Sequence, residues 1–181
     1  MKRAILQPAD VTGATLVDLK QWLGITRNVE DGQLAGLLHA SLELCEGFTG
    51  QMPLESVCEE VHASAARWLC LTTAPVRAIT AVNSRAVDGT QVPIDPSAYE
   101  IDISAEGVGS IRLLQPVSSG TIAVTFVAGI AAEWSALHDA LKHGIVRLAA
   151  HHYLTRDAAG REGPPASVAV LWRPWKRLRL R

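Results

Sequence analysis

Cysteine is scarce, with three residues at 45, 58 and 70 and no CxxC pair among them. Such a set supplies neither a disulfide framework nor a zinc knuckle, and it predicts reduced, mostly buried thiols, as in a cytoplasmic protein. Long hydrophobic runs are missing too. The longest, "IAVTFVAGIAA" at 122–132, is far shorter than the ~20 residues that span a bilayer, so no membrane segment is expected. At the N-terminus, Pro8 and Asp10 interrupt the apolar stretch after the Lys2–Arg3 pair, which argues against a signal peptide. Aromatic residues make up only 5% of the chain, but five of the nine are Trp, which concentrates large contact surfaces at a few places.

The usual signatures of catalysis are absent as well. There is no GxSxG elbow, and "GVG" at 107–109 is neither a P-loop nor the full dinucleotide fingerprint and reads as a loop tip. Ser119 before Gly120 reads as a turn. His138, His143, His151 and His152 crowd one predicted helix, but their separations of five, eight and one differ from the i, i+4 spacing that places two ligands on one face. They are expected to be solvated or interface histidines, not metal ligands. Glu100 and Asp102 alternate with Tyr99, Ile101 and Ile103, which places both acids on the outer face of a strand. Glu106 follows in a turn. No catalytic residue, cofactor or metal is predicted, and the chain is read as a non-enzyme.

What is present is a globular composition: 181 residues, 48% hydrophobic and 19% charged, enough to bury a core without staples. "TLVDLKQWL" (15–23) predicts a short helix, with Thr15 as cap, Asp18 completing a capping box and Gly24 as stop. "NVEDGQLAGLLHASLELCEGFTG" predicts a longer one over 28–50, capped by Asn28 or Asp31. "SALHDALKHGIVRLAAHHYLTRD" predicts a third over 135–157, with Leu137, Leu141, Ile145, Leu148 and His152 on one stripe. Strand patterns lie between them at 76–82, 99–103, 110–114 and 121–129, separated by the turn sequences Asp88-Gly89, "SAEGVG" and "SSG". Residues 54–71 are read as one or two strands, although their alanine content leaves a helix open. The expected fold is α+β: a helical body of three helices with an antiparallel β-meander inserted over about 54–129, all within one domain over 1–157. "AAGREGPPAS" (158–167) reads as an extended connector.

Net charge is -1, but it is unevenly spread. The closing "RPWKRLRLR" holds five cations and no acid, leaving 12 basic against 18 acidic residues in 1–172. In this tail Trp172, Trp175, Leu178 and Leu180 interleave with Arg173, Lys176, Arg177, Arg179 and Arg181. Arg pairs with carboxylates or phosphates and Trp fills pockets, so either an acidic protein groove or nucleic acid would satisfy the segment.

Taken in order, several stretches resemble the head-tail connector (adaptor) proteins of long-tailed bacteriophages and related gene transfer particles. They are "VTGATLVDLKQWLGI", "LAGLLHASLELCEGFTGQ", "APVRAITAV", "YEIDI", "IAVTFVAGIA", "LKHGIVRLAAHHYLTRD" and "PASVAVLWRPWKRLRL". The resemblance implies a structural protein of the head-tail junction, assembled in the bacterial cytoplasm into a dodecameric ring. Such a ring sits under the portal, joins it to the next tail-side protein and lets DNA pass through its channel. The segment 168–181 would reach the portal, with Leu171, Trp172, Arg173, Trp175, Lys176, Arg177, Leu178 and Arg179 as its contacts. The hairpin tips near Asp88-Gly89 and Glu106–Gly109 are the places expected to meet the tail side. The alternative reading is a nucleic-acid-binding accessory protein that uses the same tail.

Overall fold

The computed structural model describes residues 2–115, 117, 120–155 and 163–177. The fold is α+β, with antiparallel sheets between the N-terminal and C-terminal helices in chain order. The single domain expected over 1–157 divides into two compact units, Met1–Pro8 with Glu55–Gly129, and Ala9–Leu54 with Ile130–Arg181. The strand-rich stretch has its own ladders and its own buried residues, and that sets it apart from the helices.

The strand unit contains β1 (Lys2–Gln7), β2 (Ser56–Ala63), β3 (Leu69–Cys70), β4 (Val76–Arg85), β5 (Gln91–Pro93), β6 (Tyr99–Ile103), β7 (Gly109–Leu113) and β8 (Thr121–Ala128). They form a five-stranded sheet in the order β1-β2-β8-β4-β5 and a three-stranded sheet in the order β3-β7-β6. This corrects the expected meander, because β8 is central, between β2 and β4. Its sequence dictates that place: Ile122, Ala123 and Val124 are consecutive and buried, so both faces of the strand are covered. Residues 54–71 hold strands and no helix. β1 has no counterpart in the sequence reading, which saw there only a short apolar stretch. The turns at Asp88-Gly89 and 104–108 close hairpins, the second with Gly107 at φ 72°, where a side chain would be strained. Of "SSG", residues 118 and 119 lie outside the described residues.

One internal site organises this unit. Glu60 on β2 is fully buried, and its carboxylate accepts hydrogen bonds from the backbone N–H groups of Thr72 (3.0 Å) and Thr73 (2.9 Å). It also accepts from their hydroxyls at 2.9 and 2.8 Å. His62 Nε2 lies 3.1 Å from the same group. Burial pushes the carboxyl pKa up, but these bonds outweigh it and hold Glu60 at about 2.

The helical unit contains α1 (Ala14–Leu23), α2 (Asp31–Thr49), α3 (Asp139–Leu154) and α4 (Ala166–Trp172), with single 3-10 turns at Trp134–Ala136 and Arg173–Trp175. Its core joins Leu16, Leu19, Leu34, Leu38, Leu141, Ile145 and Leu148, the residues whose helical spacing marked them. The caps differ from expectation. Thr15 is buried inside α1 and Gly13 holds the cap position without a side-chain bond; Asp18 instead accepts from Trp134 Nε1 at 2.7 Å. Asn28 and Asp31 both take a bond from Lys20 Nζ, at 2.6 and 2.7 Å, and Glu30 occupies the cap position of α2. α3 begins later than expected because Leu137 and His138 are extended; His138 Nδ1 then accepts from the Ala140 N–H. A fourth helix stands where an extended tail was expected. Val168 and Trp172 are four residues apart, share one helical face and are both buried, so the segment gains more by packing as a helix than by staying solvated.

Candidate docking segment at the C-terminus

The segment expected to dock begins at α4 and is seated within the helical unit. Trp172 is its anchor: the side chain is fully buried, tilted against Phe48 of α2 at a ring separation of 6.1 Å. Gly144 of α3 makes room for it, since a Cβ there would stand 2.2 Å from the Trp172 indole nitrogen. Trp172 therefore belongs to the core and not to a contact surface, a correction to its sequence assignment. Leu171 is half-buried against the same core. Gly144→Ala is expected to destabilise this unit by about 1–3 kcal/mol through overpacking. A midpoint within experimental error of the parent, measured by urea unfolding, would show that the helices separate freely.

Beyond Trp172 the chain is strapped down by polar contacts. The Trp175 carbonyl accepts from Gln51 Nε2 at 2.6 Å, and the Arg177 N–H donates to the Thr49 carbonyl at 2.7 Å. The Trp175 ring lies 5.0 Å from the His138 ring, and Lys176 Nζ sits 5.5 Å from the Phe48 ring centroid. What stays accessible is charge: Arg173 and Lys176 are exposed, while Trp175 and Arg177 are half-buried. Leu178 and Arg179 lie outside the described residues. The arrangement therefore presents the cations of Arg173 and Lys176 from a base held by a buried indole. Phe48 lies on the apolar stripe of the 28–50 helix, but Gln51 and Gly144, which complete the seat, were not singled out by sequence, because nothing in a linear pattern announces which glycine faces which tryptophan.

The other chemistry-bearing residues are dispersed. Cys45 and Cys58 are buried, and burial together with neighbouring Glu46 pushes the Cys45 thiol up to about 12. No group of three or more His, Cys, Asp or Glu placed to hold a metal ion occurs among the described residues. His143 meets Trp22 edge-on at 5.3 Å, and His151 and His152 lie 5.9 Å apart. An open groove of about 580 Å³ beside Trp22 is lined by Asp18, Gln21, Asp139, Lys142 and His143, without a serine, threonine or cysteine. Glu100 pairs with Arg112 across the strands at 2.5 Å, whose guanidinium stacks 5.2 Å from Trp68; the acids of β6 do lie on an exposed strand. No helix among the described residues is long and apolar enough to cross a membrane.

Architecture and site together define an α+β protein whose C-terminal segment is seated in its helical unit. Solved structures of similar fold come from gene transfer agent (GTA) particles. A chain in the neck of an empty GTA particle, computed with C6 symmetry, matches with a TM-score of 0.79 at 22% identity, over 99% of this chain and 97% of that one. A chain of the native GTA virion gives 0.75 at 23% identity, and one in the native neck computed with C12 symmetry gives 0.76 at 22%, with the same coverage. No protein-family model matches the sequence. No curated protein matches it either.

Proposed function

We propose that this chain is a structural component of the neck of a phage-like particle, a head-tail adaptor that forms a ring beneath the capsid portal and joins it to the next tail-side protein. The observation that carries this reading is the extent of the likeness: 99% of this chain and 97% of the neck chain correspond, at a TM-score of 0.79. A neck computed with C12 symmetry suits a dodecameric ring. Charge supports the same role. Residues 1–172 hold 12 basic and 18 acidic residues, and an acidic lining lets DNA slide through a channel without sticking. Arg173 and Lys176, with Arg177, Leu178 and Arg179 beyond, face the portal in this reading, while Trp172 holds the segment's base in place. The hairpin tip at 86–89, where Val87 is wholly exposed, is the candidate contact for the tail-side protein.

The test is co-sedimentation with the purified portal from the same genome, comparing the parent chain with Arg173→Glu/Lys176→Glu. Stoichiometric binding by the parent, weakened about tenfold or more in the variant, is the expected result. Equal binding by both would remove these cations from the contact and keep the adaptor role. No binding by the parent, together with tight DNA binding whose affinity falls steeply with salt, would overturn the adaptor reading in favour of a nucleic-acid-binding accessory protein.

A further inference from the structure

α4 is apolar on every side. Its seven residues, "ASVAVLW", include one polar side chain, Ser167, and a helix of that composition is ordinarily buried all round. Here one side alone is covered. Val168 and Trp172 are buried against the other helices, Ala169 and Leu171 are half-buried, and Ala166 and Val170 are exposed, Val170 by 60%. Ala166 and Val170 are four residues apart and so share one helix face. Pro174, in the 3-10 turn that continues α4, follows at the same interval and is exposed as well. The outer side of the helix thus carries an apolar strip, while Trp172 locks the inner side in place.

Positive charge borders this strip. Arg173 and Lys176 are exposed at its C-terminal end, and residues 163–177 contain no acid. Cations alone suit phosphates and carboxylates equally. The apolar strip separates the two, because a nucleic-acid backbone offers a valine nothing to pack against, whereas a protein interface joins an apolar centre to a charged rim. We propose that the outer face of α4, centred on Val170, seats in an apolar depression on the portal that is bordered by carboxylates, with Arg173 and Lys176 pairing to the border. This contact presupposes the adaptor reading above and adds to it the chemistry of the portal surface. Because the helix is already held from its inner side, Val170 is presented in a fixed position, and docking does not have to order it.

Calorimetric titration with the purified portal from the same genome tests this, comparing the parent chain with Val170→Ser and Val170→Asp. Valine, serine and aspartate have similar helix propensities and position 170 is exposed, so the three proteins should melt together. Affinity for the portal should fall about tenfold in Val170→Ser and about a hundredfold in Val170→Asp, which sets an acid against carboxylates. The Val170→Ser loss should persist from about 0.1 M to about 1 M salt, because screening weakens ion pairs and spares apolar contact. Equal portal binding by the parent and Val170→Ser would overturn the apolar contact and leave the adaptor reading standing. The photo-cross-linker benzoylphenylalanine at position 170 should link to the portal; links to another copy of this chain in its place overturn the choice of partner. A parent chain that leaves the portal unbound overturns the contact together with the adaptor reading. Tighter duplex-DNA binding by Val170→Lys would then mark the face as one for phosphates.

Discussion

Replacing Trp172 by alanine should lower the stability of the helical unit by about 3–5 kcal/mol, the range for deleting a large buried aromatic. For a chain of this size that corresponds to roughly 10 °C in the thermal midpoint. Trp172 heads the fully buried side chains by volume, and it meets Phe48 and Gly144 from two different helices. Its removal leaves a cavity that Gly144 cannot fill. Trp172→Phe should lose distinctly less, because the indole N–H is buried without a protein partner and the phenyl ring carries no such unpaired donor. Circular dichroism melts of the three proteins decide the matter, and equal midpoints would place Trp172 outside the core. The same burial changes the expected outcome of cutting the chain after residue 167. A dispensable tail would leave a folded body, whereas the loss of Val168 and Trp172 should leave helices without cooperative unfolding. Point substitutions at Arg173 and Lys176 are therefore the proper probes of docking.

Replacing Glu60 by alanine should destabilise the strand unit by about 3 kcal/mol, since the buried N–H and hydroxyl of Thr73 and the more accessible ones of Thr72 lose one shared acceptor. Glu60→Gln keeps the size but turns an NH2 toward donors, so it should fall between parent and alanine. The acid dependence follows from linkage. Glu60 has a pKa of about 2 in the folded chain against 4.5 for a free carboxyl, so the folded state holds its proton less tightly than the unfolded one. The stabilisation is complete above pH 4.5 and is lost as pH falls toward 2, a difference on the order of 3 kcal/mol. Urea midpoints at pH 7 and pH 3 should therefore converge in Glu60→Gln relative to the parent. An unchanged gap would assign the acid sensitivity to other groups.

Much of the fold was legible because periodicity reports burial. Leu34, Leu38 and Cys45, or Leu141, Ile145 and Leu148, recur at helical intervals and are buried where that spacing places them. Gly24 and Gly50, both at left-handed φ, end α1 and α2, as stop signals should. The strands β6 and β8 fall within a residue of their patterns. The failures share a physical cause. Within 54–71, read only as strand or helix, Ser56, Cys58 and Glu60 are the buried residues of β2, and an acid among them is not announced by any apolar pattern. A carboxylate is tolerated inside only where donors converge on it, and Thr72 and Thr73 reach Glu60 from 12 and 13 residues further along the chain.

The C-terminal segment illustrates the same division. Its composition, aromatic and basic without acids, predicted that it would seek a surface, and it told nothing of whose surface that was. The fold divides the segment, taking Trp172 into the helical core because Gly144 leaves space for an indole and leaving Arg173 and Lys176 in solvent. By itself the sequence determined the α+β class, the principal helices and the charge asymmetry, since each depends on neighbours a few residues apart. Tertiary structure alone decided which strand is central, which acid is buried and which tryptophan is core, because those outcomes depend on groups that chain closure brings together from far apart in sequence.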